Sequence, residues 1–138
     1  MRYYAVIDTN VLVSALLRSA SVPGAVMQEA LEGRMIPLLN DAILEEYREV
    51  LARRKFHFDP EAVEVFLGGL IKRGLFMDAN PVEELPIDPK DVVFYQVVME
   101  ARKERDAYLV TGNLKHFPVK CFVVTPREML EILEQEAL

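Results

Sequence analysis

Short apolar runs alternate with longer stretches of helical periodicity along this chain. Tyr3 to Ile7 is a β-rich run without polar interruption, the pattern of a strand buried on both faces, and it stops at Asp8. Helical pattern follows over Asn10–Arg18 and again, after the Pro23-Gly24 punctuation, through Glu32 to Gly33. Met35–Leu39 predicts a second strand. Asp41–Arg54 predicts a helix whose apolar residues Ile43, Leu44, Tyr47, Val50 and Leu51 form one stripe. Asp59-Pro60 places a carboxylate at an N-cap and proline in the first turn of a further helix, which runs to about Arg73 before Gly74.

Leu75–Asp78 predicts a short third strand, and Ala79–Ile87, with Pro81 and Pro86, a loop. Asp88-Pro89-Lys90-Asp91 opens a helix that is apolar nearly all round through Met99 and is expected to be buried. Tyr108–Val110 predicts a strand ending at Thr111-Gly112-Asn113, and Phe122–Val124 another. Thr125-Pro126-Arg127-Glu128 has the form of a capping box before a last helix. Strands and helices alternate without repeats. Parallel strands need helical crossovers, so the pattern predicts an α/β sandwich with a mostly parallel sheet of about five strands. Ligands of such sheets bind beyond the carboxyl ends of the strands.

Composition narrows the picture further. A chain of 138 residues fits one domain, spanning 1–138, that buries roughly two-thirds of its unfolded surface. Hydrophobic residues make up 51% and charged residues 28%, a balance that excludes a disordered tract. The single cysteine, Cys121, excludes a disulfide framework; within Cys121-Phe122-Val123-Val124 it reads as a small buried thiol. No apolar run is long enough to span a bilayer, and Met1-Arg2-Tyr3-Tyr4 leads directly into a strand rather than a signal peptide. A soluble, cytoplasmic protein is expected. The net charge of −6 and pI of about 5.0 argue against holding nucleic acid by bulk phosphate neutralisation. They leave room for an acidic pocket whose cations meet phosphates. Arg53-Arg54-Lys55 and Arg102-Lys103-Glu104-Arg105 are local basic clusters near helix ends, suited to the helix dipole or to RNA.

The polar residues near the strand ends are the candidates for chemistry. Asp8 ends the first strand, and an N-cap role is open to it, although Thr9 and Asn10 could fill that role too. Glu46 falls at the edge of its helix's apolar stripe, with Glu45 and Glu49 on the opposite side, so it is either a pocket carboxylate or a solvated one. Asp91 occupies the N3 position of a capping arrangement and also lies on the side of Phe94, Tyr95 and Val98. Asn113 follows a strand end, where an amide caps a turn, tolerates a left-handed backbone or faces a ligand. His57 and His116 have no partner at zinc-like spacing and read as loop histidines. Carboxylates gathered at one edge repel one another by a few kcal/mol per close pair at an effective dielectric of about 20. Hard divalent cations offset that repulsion, and oxygen ligands favour Mg²⁺ or Mn²⁺ over zinc. Such ions activate water and stabilise charge on a phosphodiester. Asp8, Glu46 and Asp91 are therefore expected to converge, with Asp78 outside the cluster.

Asp8-Thr9-Asn10-Val11, Leu44-Glu45-Glu46-Tyr47-Arg48-Glu49-Val50-Leu51, Asp88-Pro89-Lys90-Asp91 and Leu109-Val110-Thr111-Gly112-Asn113 resemble, in this order, the motifs of PIN domains. The run Thr111-Gly112-Asn113-Leu114-Lys115-His116-Phe117-Pro118 is similar to the branch described as PIN-family toxins of toxin–antitoxin systems, related to VapC. The resemblance covers essentially the whole chain. It implies a three-layer α/β/α fold, an endoribonuclease of single-stranded RNA that depends on Mg²⁺ or Mn²⁺, and inhibition by a small antitoxin. Residue by residue, it implies that Asp8, Glu46 and Asp91 are the catalytic acids and metal ligands. Thr111 matches the hydroxyl residue before the fourth acid and Asn10 the polar residue after the first, with Thr9 between. Asn113 stands where many of these nucleases have aspartate, which leaves three carboxylates and one metal ion more readily held than two. A homodimer is expected through apolar residues of the first and fourth helices, among them Leu16, Leu17, Phe66, Leu67 and Leu70.

Two other classes compete. A phospho-receiver domain would use Asp78, Thr111 and Lys120, but it needs paired acids after the first strand, where Asp8 is followed by Thr9. A haloacid-dehalogenase-like phosphatase would need an aspartate where Asn10 stands. A PIN fold that binds RNA or protein without cutting is the remaining alternative.

Overall fold

A computed structural model describes residues 3–78 and 87–137. Strand β1 (Tyr3–Ile7) is followed by helices α1 (Thr9–Leu17) and α2 (Val22–Leu31), then β2 (Met35–Leu39). Helices α3 (Asp41–Leu51) and α4 (Pro60–Arg73) lead to β3 (Leu75–Phe76). Helix α5 (Pro89–Ala101), β4 (Ala107–Val110), β5 (Val123–Val124) and α6 (Pro126–Ala137) complete the described residues. The sheet has the order β3-β2-β1-β4-β5, and every pairing in it is parallel.

Strand β1 is central because it can be. Successive strand residues face opposite sides of a sheet, and Ala5, Val6 and Ile7 are all buried, so both faces are covered. Helices α1, α4 and α6 pack against α2, while α3 packs with α5, and α5 lies across β1, β2 and β4. The result is the three-layer α/β/α arrangement. Its order excludes the receiver reading, which needs β1 between β2 and β3. Here β3 is the edge strand, two places from β1, and Asp78 is exposed in a pocket with Asn40, Asp41, Phe76 and Met77.

Several local expectations are corrected. Pro23-Gly24 does not punctuate: it lies inside the first turn of α2, which Ser21 caps by accepting from the Gly24 amide at 3.1 Å. Glycine is needed there because a Cβ would stand 2.1 Å from the Ser19 carbonyl oxygen. Helix α3 ends at Leu51 rather than Arg54, and a 3-10 turn over Arg54–Phe56 follows, closed by His57 at φ 55° and by stacked Phe56 and Phe58. Asp59 stands at the N-cap of α4 without a side-chain capping bond. Strand β3 is only Leu75–Phe76, and the expected loop Ala79–Ile87 lies outside the described residues except for Ile87, which is buried. Cys121 is exposed rather than buried, because β5 starts at Val123 and the cysteine belongs to the turn before it. Leu67 and Leu70 are not surface residues: they are buried where α4 meets β2 and α2.

The basic cluster after α5 is structural. The Arg102 Nη1 donates to the Ala107 carbonyl at 2.6 Å, and its guanidinium lies 4.5 Å from the Phe122 ring centre. Arg105 covers Tyr4 in the same way at 5.4 Å. Ala107 begins β4, so these cations hold the amino edge of the sheet, opposite the strand ends where ligands bind.

One side chain ties α3 to the centre of the sheet. Tyr47 is fully buried, packs its ring 6.1 Å from that of Phe94, and donates its hydroxyl to the Ile7 carbonyl at 2.5 Å. Because Glu46 precedes it, this bond also sets where Glu46 stands. Tyr47→Phe keeps the packing but leaves a buried carbonyl without that donor, and should destabilise the fold by about 1–3 kcal/mol in urea denaturation.

Candidate functional site at the carboxyl edge of the sheet

The ladder between β1 and β4 decides what meets at their ends. Ile7 pairs with Val110, and the Asp8 amide donates to the Val110 carbonyl at 2.9 Å. The next residues on the two strands, Asp8 and Thr111, therefore stand side by side although 103 positions separate them. Both are buried, at 5% and 0% exposure, which is rare for polar groups unless they are paired.

Asp8 is not a helix cap. It occupies the N-cap position of α1, yet its carboxylate makes no capping bond to that helix. Instead Asp8 Oδ2 accepts from the Thr111 hydroxyl at 2.7 Å and from the Asn10 amide at 3.1 Å. The other end of the Asn10 side chain accepts from the Gly112 amide at 3.1 Å, bracing the loop after β4 against the loop after β1. The Thr111 hydroxyl accepts in turn from the Asn113 amide N–H at 3.0 Å. Thr9 contributes its backbone N–H to Asp8, while its own buried hydroxyl has no hydrogen-bond partner among the described residues.

Asp91 is separated from its capping reading by a comparison within the chain. The box at α6 closes, with the Thr125 amide donating to Glu128 at 2.9 Å and the Glu128 amide donating to the Thr125 hydroxyl at 3.1 Å. At α5 the capping is done by Asp88, which accepts from the Lys90 amide at 3.0 Å. The Asp91 carboxylate points to His116 instead, 3.6 Å from its Nδ1. Glu46 is half-buried and Glu45 and Glu49 are exposed, in the order that the apolar stripe of α3 predicts.

Asn113 neither caps a turn with its side chain nor adopts a left-handed backbone, its φ being −138°. Its amide nitrogen lies 3.0 Å from His116 Nε2. The Leu114–His116 3-10 turn brings the histidine there, anchored by the buried Phe117. His116 is thus part of the site, and sequence spacing alone missed it. The signal was present in Asn113-Leu114-Lys115-His116, since residues three apart share a face of a 3-10 turn.

The electrostatics bind these groups into one system. Burial pushes the Asp8 carboxyl above its ordinary range, and the charge of Glu46 adds to this, against the Thr111 and Thr9 hydrogen bonds and the charge of His116. Asp91 is raised by burial and then by Asp8. Glu46 is raised by burial and Glu49, with a smaller contribution from Asp91, while Lys90 and Arg53 oppose. Asp8, Glu46 and Asp91 therefore act on one another from three different elements. Among the described residues, however, no three His, Cys, Asp or Glu side chains are gathered as tightly as a bound ion would hold them. The donor set is carboxylate oxygen, the chemistry that suits a hard divalent cation.

A family model described as PIN domain matches residues 4–115, from the start of β1 to the turn that carries His116. No curated protein and no solved structure matches the chain.

The raised carboxyls make stability depend on pH in a defined direction. Below the ordinary Asp value of 3.8 the group is protonated whether folded or unfolded, and burial of the charge costs nothing. As pH rises into the raised range the unfolded chain ionises first, so the metal-free fold loses stability. Asp8→Asn removes that penalty. In EDTA at about pH 7 the variant should be more stable than the parent protein, and the difference should close near pH 4, measured by denaturant titration at both values.

Proposed function

The chain belongs to the PIN-domain family, and on that premise we propose that it is a metal-dependent endoribonuclease of single-stranded RNA, the cytoplasmic toxin of a toxin–antitoxin pair. What supports this reading is the buried Asp8 at the carboxyl edge of the sheet, held by Thr111 at 2.7 Å and Asn10 at 3.1 Å, with Glu46 and Asp91 near enough for the carboxylates to raise one another's pKa. Mutual repulsion of that kind is relieved by a cation.

In this reading the three carboxylates hold a Mg²⁺ or Mn²⁺ ion. Bound there, it would lower the pKa of a water molecule and neutralise charge on the phosphodiester. The chain's own residues prepare for this. Thr111 and Asn10 fix the Asp8 carboxylate through one oxygen, so its orientation does not have to be found when RNA arrives. Tyr47 holds the α3 turn that carries Glu46. Asn113, beside Thr111, offers an uncharged polar group where a fourth anion would raise the repulsion. The acidic protein meets RNA through the bound cation, assisted by exposed Lys115 and Lys90 near the same edge.

A second reading is favoured by the looseness of the carboxylate group, which is not gathered to ligand distance among the described residues. It keeps the PIN fold as a module that binds RNA or protein without cutting it. Cleavage assays separate the two. Single-stranded RNA should be cut with Mg²⁺ or Mn²⁺ and spared in EDTA, and Asp8→Asn should lower the rate by at least about 100-fold while the protein stays folded. Intact RNA at every metal concentration would leave only the binding module.

We further propose partners for the outer helical layer. Leu17 is 57% and Val65 76% exposed, with Leu16 and Phe66 partly buried between them and the core. Helices α1 and α4 both pack on α2, so these side chains belong to one layer. We assign to it a homodimer contact and the docking of an antitoxin peptide. Light scattering at micromolar concentration should give the dimer mass, and Val65→Glu should give the monomer.

A further inference from the structure

The carboxyl edge of the sheet continues, on the β2–β3 side, into a cavity of about 220 Å³ lined by Asn40, Asp41, Phe76, Met77 and Asp78. Drug-sized ligands occupy roughly 300–1,000 Å³, so this space suits a single planar ring system. The strand ladder sets it next to Asp8. Ala5 pairs with Pro37, and the same register carried onward puts Asn40 beside Asp8. Leu39 pairs with Phe76, which puts Met77 beside Asn40. Neighbouring strands lie about 4.8 Å apart, so the cavity begins one strand from Asp8 and ends two strands away. That is the reach from a phosphodiester to the base of an adjoining nucleotide.

The walls have the chemistry of a base site. Phe76 is 49% exposed on the edge strand, where sheets ordinarily place charge or cover. Unpaired bases stack on such rings. Asn40 has a fixed orientation, because its Oδ1 accepts from the Ile43 amide at 2.9 Å and caps α3. The oxygen is thereby used, and the Nδ2 group is left as a donor. Asp41 lies in the first turn of α3, where a carboxylate suits the helix dipole. Asp78 follows the edge strand and takes part in no hydrogen bond or ion pair among the described residues. The cavity thus offers one donor and one uncommitted carboxylate beside an aromatic face.

Guanine matches that set. Its O6 accepts, and its N1–H and N2–H stand side by side as two donors to a single carboxylate. Adenine and cytosine present one amino donor beside a ring acceptor, and uracil presents one N–H between two acceptors. A carboxylate set against those acceptors is left unpaired, so the residue that favours guanine also rejects the other bases. We propose that this cavity is a guanine subsite for single-stranded RNA, with Phe76 stacking on the base, Asn40 Nδ2 donating to O6 and Asp78 accepting from N1–H and N2–H. This rests on the reading that the carboxyl edge takes single-stranded RNA, and it adds the base recognised there.

Binding is measured without cutting. A fluorescein-labelled hexauridylate, and versions with one uridine replaced by guanosine, adenosine, cytidine or inosine, are titrated in EDTA and followed by anisotropy. The guanosine RNA should bind at least about 10-fold more tightly than the adenosine, cytidine and all-uridine RNAs. Inosine lacks the N2 amine and should bind at least about threefold more weakly than guanosine. Phe76 and Asp78 are exposed, so variants there should fold, which thermal denaturation checks. Phe76→Ala should weaken binding of the guanosine RNA at least about fivefold, and Phe76→Tyr should restore it. Asn40→Asp keeps a helix cap and exchanges the donor for an acceptor. Asn40→Asp and Asp78→Asn should each bring guanosine within about threefold of adenosine. Equal affinity for the RNAs, no binding of any of them, or a guanosine preference that survives Asp78→Asn overturns the proposal. Cleavage with Mn²⁺ keeps the two readings apart. RNA that is cut without regard to guanine, with no preference in EDTA, removes only the subsite. Guanine-selective binding without cutting at any metal concentration keeps the subsite and removes the nuclease.

Discussion

The seating of one buried carboxylate governs the functional edge of this molecule. Asp8 ends the central strand, and a charge placed there is disfavoured by burial unless donors compensate. Thr111 supplies the nearest donor, reached only because β4 runs parallel to β1 in the register that pairs Ile7 with Val110. Asn10 supplies another and ties back to Gly112. The compensation is partial, since the carboxyl remains above its ordinary pKa. A residue kept at such a cost in the middle of a sheet is more readily explained by what it binds than by what it stabilises.

The surrounding elements transmit that constraint. Helix α3 is held at the end of β1 by Tyr47, and α5 starts at the same edge because it follows β3 and runs back along the sheet. Glu46 and Asp91 are therefore brought to Asp8 by the crossovers, and their charges add to the charge already there. The opposite edge shows the contrast. There Arg102 and Arg105 lie over aromatic rings and a strand carbonyl, which commits the basic cluster to the fold and leaves it unsuited to RNA.

His116 illustrates how a site can extend past the residues that motif spacing identifies. It has no second histidine or cysteine to mark it, and as a residue in a loop it carries no periodicity. Its place beside Asp91 depends on a 3-10 turn after β4 and on the first turn of α5, so the pair is visible in three dimensions and not along the chain.

Local periodicity and composition were enough for the alternation of strands and helices, the parallel sheet, the burial of β1 and the apolar stripe of α3 with Glu46 at its edge. They also marked Asp8 and Asp91 as polar residues at element ends, and left capping and chemistry equally open there. Long-range packing separated the two. It left Asp91 facing His116, and it turned Asp8 away from α1 and onto Thr111, whereas the box at α6 closed locally with Glu128 as its sequence predicts. It also kept Cys121 out of the core, by starting β5 only at Val123. The physical reason is shared by the polar cases: such a side chain has several partners within local reach. Which one it takes depends on strand register and helix placement, and neither is set by neighbours in the chain.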